Sequence, residues 1–164
     1  ECFSLFINDD IIEKIVVYTN IKIEKDSEKN KSDRSTYKTN VTEIKAFIGL
    51  LILSGLVKSG HQNLDDLWNV DRLGIDIFQT TMNLKRFRFL LRYIRFDDIN
   101  TRPARKQEDK LSAFREIFEM FNNNCKKYYS VSEYCTLDEQ LVGFRGGCSF
   151  RTYIPSKPAK YGLK

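Results

Sequence analysis

The sequence predicts a mostly α-helical protein with a C-terminal β-hairpin, and three observations carry that prediction. Apolar residues recur at three- and four-residue spacing in several segments up to Tyr128. From Tyr134 the pattern changes to short runs rich in β-branched and aromatic residues. A turn cluster at residues 145–149 separates two such runs, residues 134–144 and 149–154, which read as the two strands of the hairpin. A hairpin alone is marginal in water, so it either packs on the helices or begins a larger sheet.

The elements follow in order. In residues 10–25, Ile11, Ile12, Ile15, Val16 and Ile23 recur at helical spacing, and Asn8 or Asp9 is placed to cap the helix. Residues 26–40, DSEKNKSDRSTYKTN, have almost no apolar side chains and read as a mobile loop or linker. Residues 42–57 predict a buried helix, with Thr42 as its cap and Ile44, Phe47, Ile48, Leu51, Ile52 and Val57 as core. Gly49 would allow close helix packing there, and Ser59-Gly60 would end the helix. Residues 64–70, with Asp65, Asp66 and Trp68, read as a short helical piece. Residues 83–96 form the clearest amphipathic pattern, with Phe87, Leu90, Leu91 and Ile94 in one stripe. Residues 97–109, with Arg102, Pro103, Arg105 and Lys106, read as a polar loop. Residues 110–128 predict a helix with Leu111, Phe114, Ile117, Phe118, Phe121 and Cys125 inward. Pro155 and Pro158 end the second strand.

The 164 residues suit one ordinary domain. A 41% hydrophobic content can fill a core, and 30% charged residues favour solubility. The net charge is +5, and the last acidic residue is Glu139. Beyond it stand Arg145, Arg151, Lys157, Lys160 and Lys164 with no acid among them, so the positive field concentrates there and a polyanion is the natural partner. Cys2, Cys125, Cys135 and Cys148 show no C-x-x-C pairing and His61 stands alone, which gives no support for structural zinc and fits reduced thiols in an intracellular protein. The longest apolar run, residues 46–57, is too short to span a bilayer, and the N-terminal residues show no signal-peptide pattern. No glycine-rich nucleotide loop appears, and a single histidine does not make a triad.

Two features could carry chemistry. Lys85, Arg88, Arg92 and Arg95 form a basic stripe beside the apolar one, with Arg86 off it. Such a face either tracks phosphates or is a solvated surface paired with acids such as Asp97 and Asp98. Arg102, Arg105 and Lys106 could also touch phosphate, although an ordinary solvated loop is the simpler reading. Asp138 sits in an apolar run that reads as a strand, where a fixed carboxylate is a stiff ligand for a hard cation such as Mg²⁺. From pattern alone, an edge-strand acid paired with Arg145 or Arg151 is the simpler reading, because one aspartate does not make a metal site.

The run CTLDEQLVGFRGGCSFRTYIPSKPAKYGLK strongly resembles the start of the catalytic domain of piggyBac-family transposases. LWNVDRLGIDIFQTTMNLKRFRFLLRYIRFDD and DKLSAFREIFEMFNNNCKKYYS resemble the helical region before it. The resemblance implies a helical dimerisation and DNA-binding region over residues 1–133, leading into the first strands of a truncated RNase H-like α/β domain over residues 134–164. It implies that Asp138 is the first catalytic aspartate and a Mg²⁺ ligand, acting with two later aspartates in DNA cleavage and strand transfer at TTAA sites. It also implies double-stranded DNA as partner, a homodimer in the intact protein, no membrane, and a nuclear location. The DNA contacts expected are Lys85, Arg88, Arg92 and Arg95 on the helical region and Arg145, Arg151, Lys157 and Lys160 near the scissile DNA.

Two departures qualify this. The family commonly reads R-G-R-C-P-F where this chain has Arg145-Gly146-Gly147-Cys148-Ser149-Phe150, so one arginine and one proline are missing. The chain also stops at Lys164, before the later aspartates, so the polypeptide alone is expected to lack strand-transfer activity. A domesticated, non-catalytic DNA-binding or dimerisation module is the alternative. A protein-interaction module built on the apolar helices is a third.

Overall fold

The computed structural model describes residues 2–26, 36–58, 60, 62–69, 74–136, 138, 140–148 and 150–164. Most of the expected 26–40 loop, together with Ser59, His61, Leu137, Glu139 and Ser149, lies outside the described residues. The helices are α1 (Cys2–Phe6), α2 (Asp9–Lys25), α3 (Val41–Leu56), α4 (Leu64–Leu67), α5 (Asp76–Thr81), α6 (Leu84–Tyr93), α7 (Arg102–Glu108) and α8 (Arg115–Tyr128). Three short strands follow: β1 (Val142–Gly143), β2 (Thr152–Tyr153) and β3 (Tyr161–Leu163).

Asparagine caps α2, α3 and α6. The Asn8 side chain accepts the Ile11 N–H at 3.2 Å, and Asn83 accepts the Lys85 N–H at 2.8 Å. On α3 the cap is Asn40, which accepts the Glu43 N–H at 2.9 Å, rather than the expected Thr42. Asn40 has the extended backbone that a cap requires, and Thr42 is already within the helix.

The core has two centres, and α3 feeds both. Ile44 joins Ile11, Ile12 and Ile15 of α2. Phe47 and Leu50 join Leu67, Trp68, Phe78, Met82, Phe87 and Leu90. The buried Trp68 indole N–H donates to the Met82 carbonyl at 2.7 Å, so the large apolar side chain is buried without an orphaned donor. The expected inward face of α3 is corrected beyond Leu50: Leu51, Ile52 and Val57 are exposed, and no described atom beyond its own helix backbone lies within 4 Å of a Cβ built on Gly49. Beyond Leu50, Leu53 still packs against the second centre. On α6, Phe87 and Leu90 are buried as expected, but Leu91 is exposed and Arg86 is buried in its place. On α8, Ile117, Met120 and Phe121 pack against the first centre, whereas Phe118 is exposed.

Two further expectations are corrected. Residues 97–109 contain α7, a helix with Pro103 in its first turn, where a missing N–H costs nothing. The two expected strands do not pair with each other. Each pairs antiparallel with β3, giving the order β1-β3-β2 with Val142 opposite Leu163 and Tyr153 opposite Tyr161. The hairpin is β2–β3, closed where the Ile154 N–H donates to the Lys160 carbonyl at 2.7 Å. Gly162 is the close approach that admits β1: a Cβ there would stand 2.2 Å from the Val142 carbonyl oxygen.

Candidate nucleic-acid interface

Asp138 lies outside any strand, with its side chain 80% exposed, which corrects the strand-borne carboxylate. The ladder begins at Val142, which pairs with Leu163 of β3. The nearby cation is Lys157, whose Nζ is 4.0 Å from Asp138 Oδ1, rather than Arg145 or Arg151. Arg151 is turned back on its own loop. Its Nη1 donates to the Arg145 and Gly146 carbonyls at 3.2 and 3.3 Å, and the guanidinium lies 5.2 Å from the centre of the Tyr161 ring. Arg145 and Lys160 are exposed. Lys160 has a φ of 51°, in the left-handed region, as it turns the chain into β3.

The described residues do not make up a metal centre. Among the described residues, no group of three His, Cys, Asp or Glu side chains is placed to hold a metal ion. Asp138 is one exposed carboxylate with an ammonium group for a neighbour. Hard divalent cations need several oxygen ligands. The cysteines are free, with Cys2 and Cys135 exposed. No described helix is long and apolar enough to cross a membrane.

The basic stripe on α6 divides into different roles. Arg88 pairs with Asp65 at 2.6 Å, with both side chains about half exposed, so this is a surface ion pair. Arg95 folds over the end of α6, where its Nη1 donates to the Ile94 and Arg92 carbonyls at 2.6 and 3.0 Å, neutralising the negative helix end. Burial, and then the nearby Arg102 charge, hold the Arg95 guanidinium below its ordinary value. Lys85 and Arg92 are exposed along the same helix.

Asp97 is not a partner for this stripe. It is 3% exposed and held by Arg102 and Arg105, with Arg105 Nη2 at 2.7 Å. Arg105 also donates to the carbonyls of Ser112 and Asp98 at 2.7 and 2.9 Å. These two arginines are therefore structural clamps that fasten α7, and the loop reading that exposed them is corrected. Lys106, which follows Arg105 in sequence, is exposed.

The sequence pattern gave no signal for Arg86. Its guanidinium grips Glu43 with two bonds and donates to the Tyr37 carbonyl at 2.9 Å, while stacking 3.8 Å from the Tyr37 ring centre. Burial alone would raise the Glu43 carboxyl, but hydrogen bonds from Arg86 and Thr39 reverse that and hold it below the usual range. This lock fixes the segment entering α3 against α6. A second polar anchor joins α2 to α8: Glu116 accepts from Lys14 Nζ at 2.5 Å and from the Tyr18 hydroxyl.

Comparison with known proteins points in one direction. All of residues 1–164 match the family model described as Transposase IS4. The chain is 26% identical, over its full length, to PiggyBac transposable element-derived protein 3 of Homo sapiens, of which it spans 26%. It is 24% identical, over 98% of its length, to PiggyBac transposable element-derived protein 5 of Homo sapiens, of which it spans 30%. Among solved structures it is similar to a chain of a piggyBac transposase synaptic complex with hairpin DNA, determined by cryo-EM. That match has a TM-score of 0.89 and 40% identity, covering 98% of this chain and 33% of the other. The chain thus spans about a quarter to a third of the length of these relatives.

Proposed function

The chain belongs to the piggyBac-type transposases of the Transposase IS4 family, and from that premise we propose that it forms the helical DNA-engaging region and the beginning of the catalytic domain of a DDE/D transposase. The observation that carries this is the 40% identical match over 98% of the chain to a transposase solved with hairpin DNA. The acid-free stretch after Glu139, with five cations, supports a polyanionic partner.

In this reading the whole protein cuts and joins DNA at TTAA sites, as a homodimer acting in the nucleus. The assigned DNA contacts are Lys85, Arg88, Arg92, Arg95, Arg145, Arg151, Lys157 and Lys160; Lys85, Arg92, Arg145 and Lys160 are exposed, and Arg88, Arg95, Arg151 and Lys157 would exchange the neighbours described above for phosphate. Asp138 is assigned as one carboxylate toward Mg²⁺ in the assembled protein. Its solvent-facing side chain supports that assignment. This chain alone is proposed to be catalytically silent, because one carboxylate cannot hold the ion.

The test is duplex-DNA binding over a salt series. Phosphate contacts make the logarithm of affinity fall linearly with that of salt, by about 0.9 per contact. A steep fall is expected, and binding that is absent or insensitive to salt would overturn the reading. The second reading, a non-catalytic DNA-binding or dimerisation module, is favoured by the Lys157 ammonium beside Asp138. Measured on the full-length protein, Mg²⁺-dependent nicking lost in Asp138→Ala supports the enzyme. DNA binding without nicking supports the module.

A further inference from the structure

A cleft of about 300 Å³ opens where α7 and the turn after it meet the loop between β1 and β2. Arg102, Lys106 and Lys110 line one wall and Gly147, Cys148 and Phe150 the other. Among the described residues, no carboxylate lines it. The cations differ in what they already hold. Arg102 is bound to Asp97, and Arg105 behind it grips the same carboxylate. Lys106 and Lys110 are exposed, and neither makes an ion pair among the described residues. One buried carboxylate is shared by two guanidiniums, so these three groups together carry a net positive charge, and the side chains lining the cleft are cationic, small or apolar.

We infer that this cleft seats the sugar-phosphate backbone of duplex DNA, with Lys106 and Lys110 as the phosphate contacts. This rests on the DNA-binding reading above and adds a surface to it, since neither lysine lies on the α6 stripe or in the acid-free C-terminal stretch. The shape favours a polymer over a small phosphate. The cleft is open and shallow, its charges sit on flexible stems, and no buried donors converge on one point, as enclosed anion sites require. The arginines fix the wall through bidentate bonds to Asp97, while the lysines offer solvated point charges, which suits sequence-independent backbone contact.

The test uses the whole chain with Lys106→Ala/Lys110→Ala and a labelled duplex. Two lost phosphate contacts should reduce the salt slope by about 1.8, with the thermal melt unchanged because both side chains are exposed. Lys126→Ala/Lys127→Ala, which removes the same charge outside the cleft lining, should reduce it less. Gly147 lines the cleft and no described atom lies within 4 Å of a Cβ placed there, so Gly147→Arg in the double-lysine background should restore part of the slope. Should Lys106→Ala/Lys110→Ala alter the melt, the single changes Lys106→Gln and Lys110→Gln replace it, each expected to remove about half of the effect. Steep wild-type binding with a slope unchanged by the lysine variants would overturn the cleft and leave the DNA reading intact. An equal loss in the charge-matched control would also overturn it. Failure of the wild-type chain to bind DNA would overturn both.

Discussion

Arg86 and Glu43, 43 residues apart in sequence, meet through two hydrogen bonds of 2.7 and 2.6 Å, one to each carboxylate oxygen, with the arginine side chain only 4% exposed. A fork-to-fork pair of this kind is unforgiving, because removing one partner leaves the other charge buried. Arg86→Met should destabilise the protein by about 3–5 kcal/mol. Arg86→Lys retains the charge but not the fork and should cost less. Chemical denaturation of both variants checks the order, and equal losses would show that geometry contributes nothing.

The same pair makes a pH prediction. The Glu43 carboxyl is held below its ordinary value in the folded protein, so the folded state binds fewer protons than the unfolded state in the acidic range. Its contribution is fully present above the ordinary glutamate range and is lost as pH falls through the lowered folded value. Wild type should therefore lose stability on acidification more steeply than Glu43→Gln, measured by thermal melts across the acidic range. Parallel curves would argue against the lock.

Tyr18 provides the opposite sign. Its hydrogen bond to Glu116, followed by burial and the charge of that carboxylate, pushes the phenol up to about 12. A raised folded value means that its stabilisation is complete below the ordinary tyrosine range and is lost as pH rises toward about 12. Tyrosinate absorbance should show one late-titrating group that Tyr18→Phe or Glu116→Gln abolishes. Because Tyr18 is partly solvated, Tyr18→Phe should cost only about 1 kcal/mol at neutral pH.

These polar anchors mark the limit of what the chain reveals before folding. The helices α2 and α6 are legible because Ile11, Ile12 and Ile15, like Phe87 and Leu90, repeat at the helical period and do end in the core. Arg86 is not legible, since nothing local indicates that its partner is Glu43. Helix α7 is missed because its sequence carries no apolar stripe, and what fastens it is a carboxylate outside the helix, Asp97. Strand β3 is missed because three residues around Gly162 carry no alternation, and its role is to let β1 approach. At the site, the motif identifies Asp138 by resemblance, but its exposure and its neighbour Lys157 depend on where the ladder starts.

Gly162 tests that ladder directly. A Cβ would lie 2.2 Å from the Val142 carbonyl oxygen and 2.9 Å from Leu141 Cγ, so Gly162→Ala must push β1 away. A loss of about 1–3 kcal/mol is expected for such overpacking. Amide exchange localises it: the Phe144 N–H, which donates to Tyr161, should lose protection, while the Ile154 N–H in the β2–β3 turn should keep it. Loss of protection at both would mean that the sheet opens as one unit.

Asp138 should prove dispensable for folding. Its side chain is 80% exposed and its neighbour Lys157 is 4.0 Å away, at the outer limit of an ion pair. Surface pairs of this kind contribute little, so Asp138→Asn should change stability by no more than about 0.5 kcal/mol. A carboxylate retained for stability would behave like Glu43, with a large loss on neutralisation. One available for chemistry in a larger assembly would leave the melt unmoved while activity of the full-length protein disappears. Comparing the melts of Asp138→Asn and Glu43→Gln separates the two, and a large Asp138 effect would make it a structural acid and remove the physical basis for assigning it to a metal.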